Sequence, residues 1–235
     1  LFPEEPTLQN FRMVFNQQHH YLEYFWSQLL SSTIIAFSVG VLTLLVASLA
    51  AFAISRLRVT GGRMLMNAAL FTYFIPAAFL AVPMYRAIAN YGLLDTRLGM
   101  ILAMTTLATP YAIWVLKQAS DKLPVELDEA AIIDGATAFQ LFRLVYLPLI
   151  TPAMVAIGIY AVLLAWNEYL YAFLLMSKEK DVPLSVALGL FLSADDSPWE
   201  LLMATGFIYA LPPAVIYYVF KRYMVGGLTA GAVKA

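Results

Sequence analysis

The sequence predicts an all-α, polytopic membrane protein with five transmembrane helices in this chain. Its residues are 62% hydrophobic and only 12% charged, whereas soluble domains average about 25% charged residues. Five stretches without a charged residue are long enough to cross a hydrocarbon core of about 30 Å as helices. Helices satisfy their own backbone hydrogen bonds in lipid, which isolated strands cannot do. The chain has no cysteine, so neither a disulfide framework nor a thiolate metal site is expected.

These stretches divide the chain into three parts. We expect an external loop at residues 1–23, a transmembrane domain at 24–220 and a cytoplasmic carboxyl-terminal tail at 221–235. Within the domain, the helices are predicted at about 27–54, 64–85, 98–116, 149–167 and 201–220, and a polar loop at 117–148 separates the third from the fourth.

The first part of the chain is polar, aromatic and interrupted by proline, which is typical of a loop. His19 and His20 are adjacent there. Neighbouring side chains point apart on a regular helix or strand, so a shared metal site is not expected. After the first span, the segment "SRLRVTGGR", residues 55–63, predicts a tight basic turn.

Prolines interrupt several of the apolar stretches: Pro76, Pro83, Pro110, Pro212 and Pro213. Each removes a helical hydrogen bond, and the resulting kinks can open a pathway through a bundle. Proline is also more frequent in membrane helices than in soluble ones, so the pattern indicates a translocation route only weakly.

Residues 168–200 contain two apolar pieces, "YLYAFLLMS" and "VPLSVALGLFLSA". Both are too short to span a membrane, so we expect an external loop with a re-entrant or interfacial piece.

The basic residues indicate which side of the membrane each loop occupies, because Lys and Arg accumulate in short cytoplasmic loops. With the carboxyl terminus inside, most of them fall on the inner side: Arg56, Arg58, Arg63, Lys117, Lys122, Arg143, Lys221, Arg222 and Lys234. Five spans then place the amino terminus outside. This predicts a further, sixth helix ahead of Leu1.

The most acidic part of the chain is a short connection before the fourth span. A helix from about Val125 to Asp134, with carboxylates near its amino terminus to complement the helix dipole, is expected to end at Gly135 in the left-handed conformation. Thr137 and Gln140 form a capping-box pattern, which predicts a second short helix that begins at Ala138. The connection is therefore a helix, a glycine turn and a second helix, which either binds a partner or packs only against its own bundle.

The segment "EAAIIDGATAFQLFRLVYLPLITP", residues 129–152, resembles the EAA loop of permease subunits in binding-protein-dependent ATP-binding cassette (ABC) importers. "PTLQNFRMVF", "IPAAFLAVPMYRAIANYGLLDT", "AWNEYLYAFLL" and "KRYMVGGLTAGAVKA" are similar to the carbohydrate, maltose-type branch of that family. The resemblance covers nearly the whole chain. It implies that this loop carries the coupling helix, which docks on the ATPase subunit. The residues implied in this coupling are Glu129, Ala130, Ala131, Asp134, Gly135 and Ala136.

The resemblance also implies partners: a second permease subunit, two ABC ATPase subunits, an external solute-binding protein and the lipid bilayer, in a bacterial inner membrane. No nucleic-acid partner is expected. No GxxxxGK[ST] phosphate loop occurs in the chain, so ATP and Mg²⁺ are expected on the ATPase subunits. The tail is predicted to reach the ATPase interface, unless it is simply a frayed terminus.

The function implied is transport of a sugar, a di- or oligosaccharide, by alternating access. Aromatic rings stack on sugars and amides bond their hydroxyls, so Tyr73, Tyr160, Trp166 and Asn167 are candidate lining residues of the path. Alternatives are an importer for another solute, such as a phosphorylated glycerol derivative, an intramembrane enzyme, or a passive channel. An intramembrane enzyme would need paired ionisable groups within the spans, and the five stretches contain no charged residue. We therefore expect neither catalytic residues nor a resident metal.

Overall fold

The computed structural model describes residues 7–193 and 198–229, and this part of the chain is helical, with no β-strand. The all-α prediction is confirmed. Residues 1–6 of the predicted external loop and 230–235 of the predicted tail lie outside the described residues.

The chain begins with a short helix, α1 (Gln9–Phe15), and a 3₁₀ turn (His20–Leu22) before the long helix α2 (Phe25–Ser55). The rings of His19 and His20 lie 4.2 Å apart, contrary to the expectation that they point apart. His19 has extended backbone angles and caps the turn, so the alternation of a regular element does not apply. Within the described residues, no three side chains of the His, Cys, Asp or Glu type are grouped as a metal ion would need.

The predicted second span, 64–85, is two helices rather than one. Helix α3 (Gly62–Phe71) continues into a 3₁₀ turn (Thr72–Phe74), and α4 (Ala77–Asn90) starts after it at a bend of 110°. Pro76 causes this break, since it has no backbone N–H and disfavours helical angles in the residue before it. Ile75 is accordingly extended, with φ −87° and ψ 120°.

Helix α5 (Arg97–Asp121) runs through Pro110 without a break and is followed by α6 (Glu126–Ile133). Helix α7 (Ala138–Gln140) passes through a π-helical segment (Leu141–Tyr146) directly into α8 (Leu147–Trp166). The second helix predicted in the acidic connection is therefore continuous with the fourth span.

Two short helices follow, α9 (Leu170–Leu175) and α10 (Leu184–Leu190), and neither is long enough to span, as the sequence predicts. The last helix is α11 (Trp199–Thr229), with Pro212 and Pro213 inside it.

Four helical segments of the described chain are long and apolar enough to cross a membrane: His20–Ser55, Arg97–Asp121, Ala138–Trp166 and Trp199–Lys221. The bent pair α3–α4 makes a fifth if its two helices count as one span. The predicted five spans therefore have counterparts in the structure.

Helices α2 and α5 lie side by side and run parallel, and α8 packs against both. Hydrogen bonds join α2 to α5 at both ends: Arg97 donates to Ser31 where the helices start, and Ser55 and Ser120 share a bond where they end. The bent pair lies between them in sequence and carries the chain back. Gly40 lets α8 approach closely, because a Cβ there would lie 2.7 Å from Val162 Cγ2.

One of the buried apolar clusters lies at the end of the bundle where α2 and α5 finish. It combines residues of both helices with the π-helical segment and the start of α8: Ala47, Ala51, Phe52, Ala112, Leu116, Leu141, Phe142, Tyr146, Ile150 and Ile157. Ala131 of α6 packs against it. We call this end of the bundle the hairpin end, after the acidic connection beside it.

At the opposite end, four polar side chains join the start of α5 to the segment between α9 and α10. We call Asp95, Arg97, Ser177 and Asp181 the loop latch. The Asp95 carboxylate accepts hydrogen bonds from Ser177 Oγ at 2.5 Å and from Ser177 N at 2.6 Å. These bonds hold the pKa of Asp95 below its usual value, because they stabilise the ionised carboxylate.

Arg97 supplies the ion pair of the loop latch, with 3.1 Å between its guanidinium and the Asp181 carboxylate. The Arg97 and Asp181 side chains are 32% and 39% exposed. Two further bonds join this segment to the start of α2, from Gln28 Nε2 to Glu179 O at 3.0 Å and from Leu184 N to Ser32 Oγ at 2.8 Å. The segment is thus fastened at several separate points.

Candidate functional site

Residues 126–146 form a compact structure that we call the acidic hairpin. Its first arm, α6, carries Glu126, Asp128 and Glu129 in the first turn, where carboxylates complement the positive end of the helix dipole. The second arm begins at Thr137, whose hydroxyl accepts from Gln140 N while the Gln140 side chain accepts from Thr137 N. The predicted capping box is confirmed.

The turn between the arms is built around Gly135. Its φ is +82°, in the left-handed region that favours glycine. Gly135 N donates to Ile132 O and Ala136 N donates to Ala131 O, so two free carbonyls at the end of α6 are satisfied. This is the Schellman arrangement that commonly ends helices. The prediction that Gly135 terminates the first helix is confirmed.

One face of the acidic hairpin is fixed to the bundle by an ion pair. Arg56, the residue after α2, places its guanidinium 2.8 Å from Asp128, and the two side chains are only 8% and 13% exposed. The same guanidinium donates to Ser120 O at 3.1 Å and to Leu123 O at 3.2 Å. Arg56 therefore joins the end of α2, the end of α5 and the helix α6.

Three large apolar side chains around the turn of the acidic hairpin are exposed. Ile132, Ile133 and Phe139 are 61%, 85% and 67% exposed, respectively. Large exposed apolar side chains grouped around a rigid turn are typical of an interaction surface. We call these three residues the apolar face.

The predicted coupling residues share this structure but differ in exposure. Glu129, Ala130 and Asp134 are exposed, whereas Ala131 and Ala136 are half-buried. Asp134 caps the end of α6 through its backbone N–H, which donates to Ala130 O. The small side chains at Ala130 and Ala131 leave the surface of α6 open to close approach.

A cavity of about 530 Å³ lies where the bent pair faces α5 and α8. Tyr73 and Tyr160 both line it, as does Pro76 at the bend. Tyr73 Oη donates to Leu107 O at 2.5 Å, across to the middle of α5. The ring of Tyr111 is near both tyrosines, with ring centroids 6.3 Å from Tyr73 and 4.9 Å from Tyr160. The cavity wall is therefore partly aromatic.

The other two candidate path residues lie outside this lining. Trp166 is 2% exposed and stacks on Tyr209 at 5.5 Å between ring centroids. Asn167 donates its side-chain amide to Leu163 O at 2.8 Å, within its own helix. The structure thus brings Tyr73 and Tyr160 together and separates them from Trp166 and Asn167.

Several lining residues were not predicted. Thr72 and Thr106 contribute hydroxyls, and Glu168 contributes the single charged side chain among the described residues of the lining. Pro83 and Pro110 also lie in the wall. The prolines within apolar spans were the available signal, since three of them surround this cavity.

Arg56 was visible in the sequence only as part of a basic turn, and its burial could not be read from the sequence.

Comparison with known proteins gives matches over most of the chain. Residues 43–229 match the family described as "Binding-protein-dependent transport system inner membrane component". The inner membrane ABC transporter permease protein YcjP of Escherichia coli is 33% identical over 100% of this chain and 82% of its own length. The trehalose transport system permease protein SugB of Mycobacterium tuberculosis is 34% identical over 100% of this chain and 84% of its own length.

A similar fold is found in the crystal structure of a bacterial ABC transporter involved in the import of the acidic polysaccharide alginate. It superposes with a TM-score of 0.79 over 95% of this chain and 81% of the matched chain, at 23% sequence identity. The arrangement of helices in this chain is thus similar to that of the matched chain.

Proposed function

The chain belongs to the family of binding-protein-dependent transport system inner membrane components, and from that premise we propose that it forms half of a sugar pathway driven by partner ATPases. As a member it is a multi-pass inner-membrane transport subunit rather than an enzyme. Two of its features bear on this role. The acidic hairpin bears on the coupling to ATP hydrolysis, and the cavity bears on the solute that is carried.

The observation that supports coupling through the acidic hairpin is that it is both anchored and exposed. Asp128 holds it to the bundle, and the side chains of the apolar face are exposed. A rigid helix that presents apolar anchors beside small residues fits a groove on a partner. We propose that Glu129, Ala130, Ala131, Asp134, Gly135 and Ala136 form the contact with an ATPase subunit, the charged ones as docking and capping groups.

The complex we propose contains a second permease subunit, two ABC ATPases and an external solute-binding protein. The chain carries no phosphate loop of its own, so the energy must come from a partner. The family description itself supports a binding protein. Alternating access would follow from movement of the acidic hairpin when the ATPases close.

We propose that the hairpin end faces the cytoplasm. The basic residues lie at or beside the ends of the spans at this end: Arg56 and Arg58 after α2, Arg63 at the start of α3, Lys117 and Lys122 at the end of α5, and Arg143 near the start of the Ala138–Trp166 span. Such enrichment in Lys and Arg is typical of the cytoplasmic side. The same argument gives a cytoplasmic carboxyl terminus, with residues 1–23 outside and 221–235 inside.

A sugar is the substrate class that the cavity favours. Tyr73 and Tyr160 offer aromatic faces and Thr72 and Thr106 offer hydroxyl oxygens, the groups that bind sugar rings and their hydroxyls. Glu168 would repel an anion such as a phosphorylated glycerol derivative. The similarity to a trehalose permease supports the same class.

The coupling proposal is tested by copurification of the ATPase with the full complex. We expect Gly135→Asp to abolish it, because a side chain is strained at φ +82° and adds charge to the turn. Ile133→Asp should do the same by placing a charge in the docking surface. Tyr91→Asp is the matched control, since Tyr91 is 80% exposed at the end of α4.

Each outcome bears on the proposal. Loss of the ATPase in both hairpin variants with retention in Tyr91→Asp would support docking through the acidic hairpin. Retention in both would contradict it, and absence of an ATPase from the wild-type complex would refute the importer role itself.

The substrate proposal is tested by uptake into vesicles that contain the complete transporter and its binding protein. We expect uptake of a neutral disaccharide such as trehalose, reduced by Tyr160→Ala through loss of the aromatic wall. Uptake of glycerol phosphate with no uptake of neutral sugars would overturn the assignment.

A further inference from the structure

We propose that Arg56 is a positioning residue of the transport cycle, the joint through which movement of the acidic hairpin reaches α2 and α5 together. This inference rests on the proposed coupling function of the hairpin. Arg56 lies outside the lining of the cavity, and it would act by keeping α6 in a fixed relation to two helices of the bundle.

The guanidinium of Arg56 uses both of its terminal nitrogens. One of them, Nη1, contacts the Asp128 carboxylate at 2.8 Å. The other, Nη2, donates to Ser120 O at 3.1 Å and Leu123 O at 3.2 Å. A single planar group thus bonds α6, the end of α5 and the segment between them, while its own backbone continues α2.

The chemistry of arginine explains why this residue suits the position. Its guanidinium is planar, always charged, and presents several N–H donors in a fixed fork, so it can hold a carboxylate and backbone carbonyls at the same time. The ammonium of a lysine is a point charge on a flexible stem and lacks that fixed fork. Arg56→Lys would keep the charge and lose the geometry.

The surroundings of Arg56 make the joint stiff. Ser55, the residue before Arg56, shares a hydrogen bond with Ser120, with 2.6 Å between the two Oγ atoms. This bond joins α2 to α5 beside the guanidinium. Phe52 and Tyr146 belong to the buried cluster below, with ring centroids 5.0 Å apart. An ion pair that is largely removed from water is screened less by salt than an exposed one.

The link between Arg56 and α6 is not duplicated by the other ion pairs of the described residues. Among the described residues, Arg56–Asp128 is the single ion pair between α6 and the rest of the bundle. The nearby pair of Lys117 and Asp121 lies within α5 and joins no second helix. Glu126 and Glu129, the other acids of the first turn of α6, form none of the described ion pairs. Removal of Asp128 should therefore loosen α6 from α2 while leaving the apolar face intact.

The experiment uses the complete transporter with its ATPases and binding protein in vesicles. Asp128→Asn removes the charge with almost no change of shape, and Asp128→Glu keeps the carboxylate. We expect Asp128→Asn to retain the copurifying ATPase and its basal hydrolysis, but to lower transport per ATP hydrolysed about fivefold or more. Asp128→Glu should recover most of that loss. Asp181→Asn, in the loop latch, is the matched control and should leave the ratio unchanged.

A second measurement reports the joint directly. The chain has no cysteine, so single pairs can be introduced without background labelling. Spin labels at Leu57→Cys and Ile132→Cys, both exposed positions, report the distance between the end of α2 and α6. We expect a narrow distance distribution in the otherwise wild-type chain that becomes broad with Asp128→Asn and narrow again with Asp128→Glu.

The outcomes separate this inference from the proposed function. If the wild-type complex contains no ATPase, the coupling function fails. If the ATPase is present and Asp128→Asn transports as efficiently per ATP as wild type, with an unchanged distance distribution, only the joint is refuted. Asp128→Asn keeps the shape of the side chain and Asp128→Glu keeps its charge, so poor assembly of an Arg56 variant does not prevent the test.

Discussion

Helix α5 has an arginine–aspartate pair near each end, and the two pairs are built differently. At its start, Arg97 meets Asp181 with side chains 32% and 39% exposed. At its end, Arg56 meets Asp128 with side chains 8% and 13% exposed. Exposed ion pairs contribute between about 0 and 1 kcal/mol, whereas removing one partner of a buried pair costs about 3–5 kcal/mol. The two ion pairs are therefore expected to differ in the stability that is lost when one partner is removed.

The numbers of supporting bonds differ in the opposite direction. The loop latch is backed by Gln28 and Ser32, which bond the same segment at separate points. The hairpin end relies on one guanidinium for its ionic link to α6. The segment of the loop latch is held by several bonds and should lose little when one is removed, whereas α6 has one ion pair to the bundle and loses its whole ionic link with it.

The largest effect is expected from Arg56→Met. It leaves the Asp128 carboxylate buried without its cation and removes two bonds to carbonyls, so we expect a loss of about 3–5 kcal/mol in unfolding free energy. Denaturant titration of the purified protein in mixed micelles measures it. Arg97→Met is the control at the other end, and an equal loss in the two variants would abolish the contrast.

Gly135→Ala comes next and tests the turn of the acidic hairpin. An alanine Cβ at φ +82° costs about 1–2 kcal/mol, and the space around Gly135 is open, so backbone strain is the only contribution. Gly135→Asn is the control, because asparagine tolerates this conformation better. Hydrogen exchange of the Ala136 amide should be faster in the alanine variant than in the asparagine variant. Equal rates would show that the turn is not strained.

A smaller effect is expected from Arg97→Gln. The pair with Asp181 is partly exposed, so its loss should cost no more than about 1 kcal/mol, and less at high salt. Thermal unfolding at low and high ionic strength measures both features. A salt-independent loss of several kcal/mol would mean that the loop latch behaves as a buried pair.

The smallest effect is the pH dependence of the loop latch. Bonds from Ser177 lower the pKa of Asp95 in the folded protein below its usual 3.8. The stabilisation is therefore complete above the unfolded pKa and is lost as pH falls through the lower folded value. Exchange of the Ser177 amide should accelerate there, and Asp95→Asn should remove that pH dependence. Unchanged protection down to about pH 2 would contradict it.

Features set by neighbouring residues were predictable from the sequence. Gly135 and the Thr137–Gln140 capping box were assigned correctly because their signals lie within a few residues. The five spans were predicted from the lengths of the stretches without a charged residue. The break at Pro76 was underestimated, since proline in a membrane helix is often accommodated, as at Pro110 within α5.

Features set by distant contacts were not predictable. Arg56 and Asp128 lie far apart in the sequence, and nothing local indicates that they meet. Tryptophan is a residue type that often lines sugar sites, yet Trp166 is buried against Tyr209 where α8 packs on α11. Which aromatic faces a cavity depends on the rotation of each helix, and a single sequence does not specify it.

The π-helical segment has a mechanical consequence. Because it joins α7 to α8 without a break, Ala138–Trp166 is one helical span of 29 residues, about 40 Å long. Phe142 and Tyr146 are buried near one end of this span. If the span moves as one rigid helix about that packing, a small displacement at Phe139 would produce a larger displacement at Trp166.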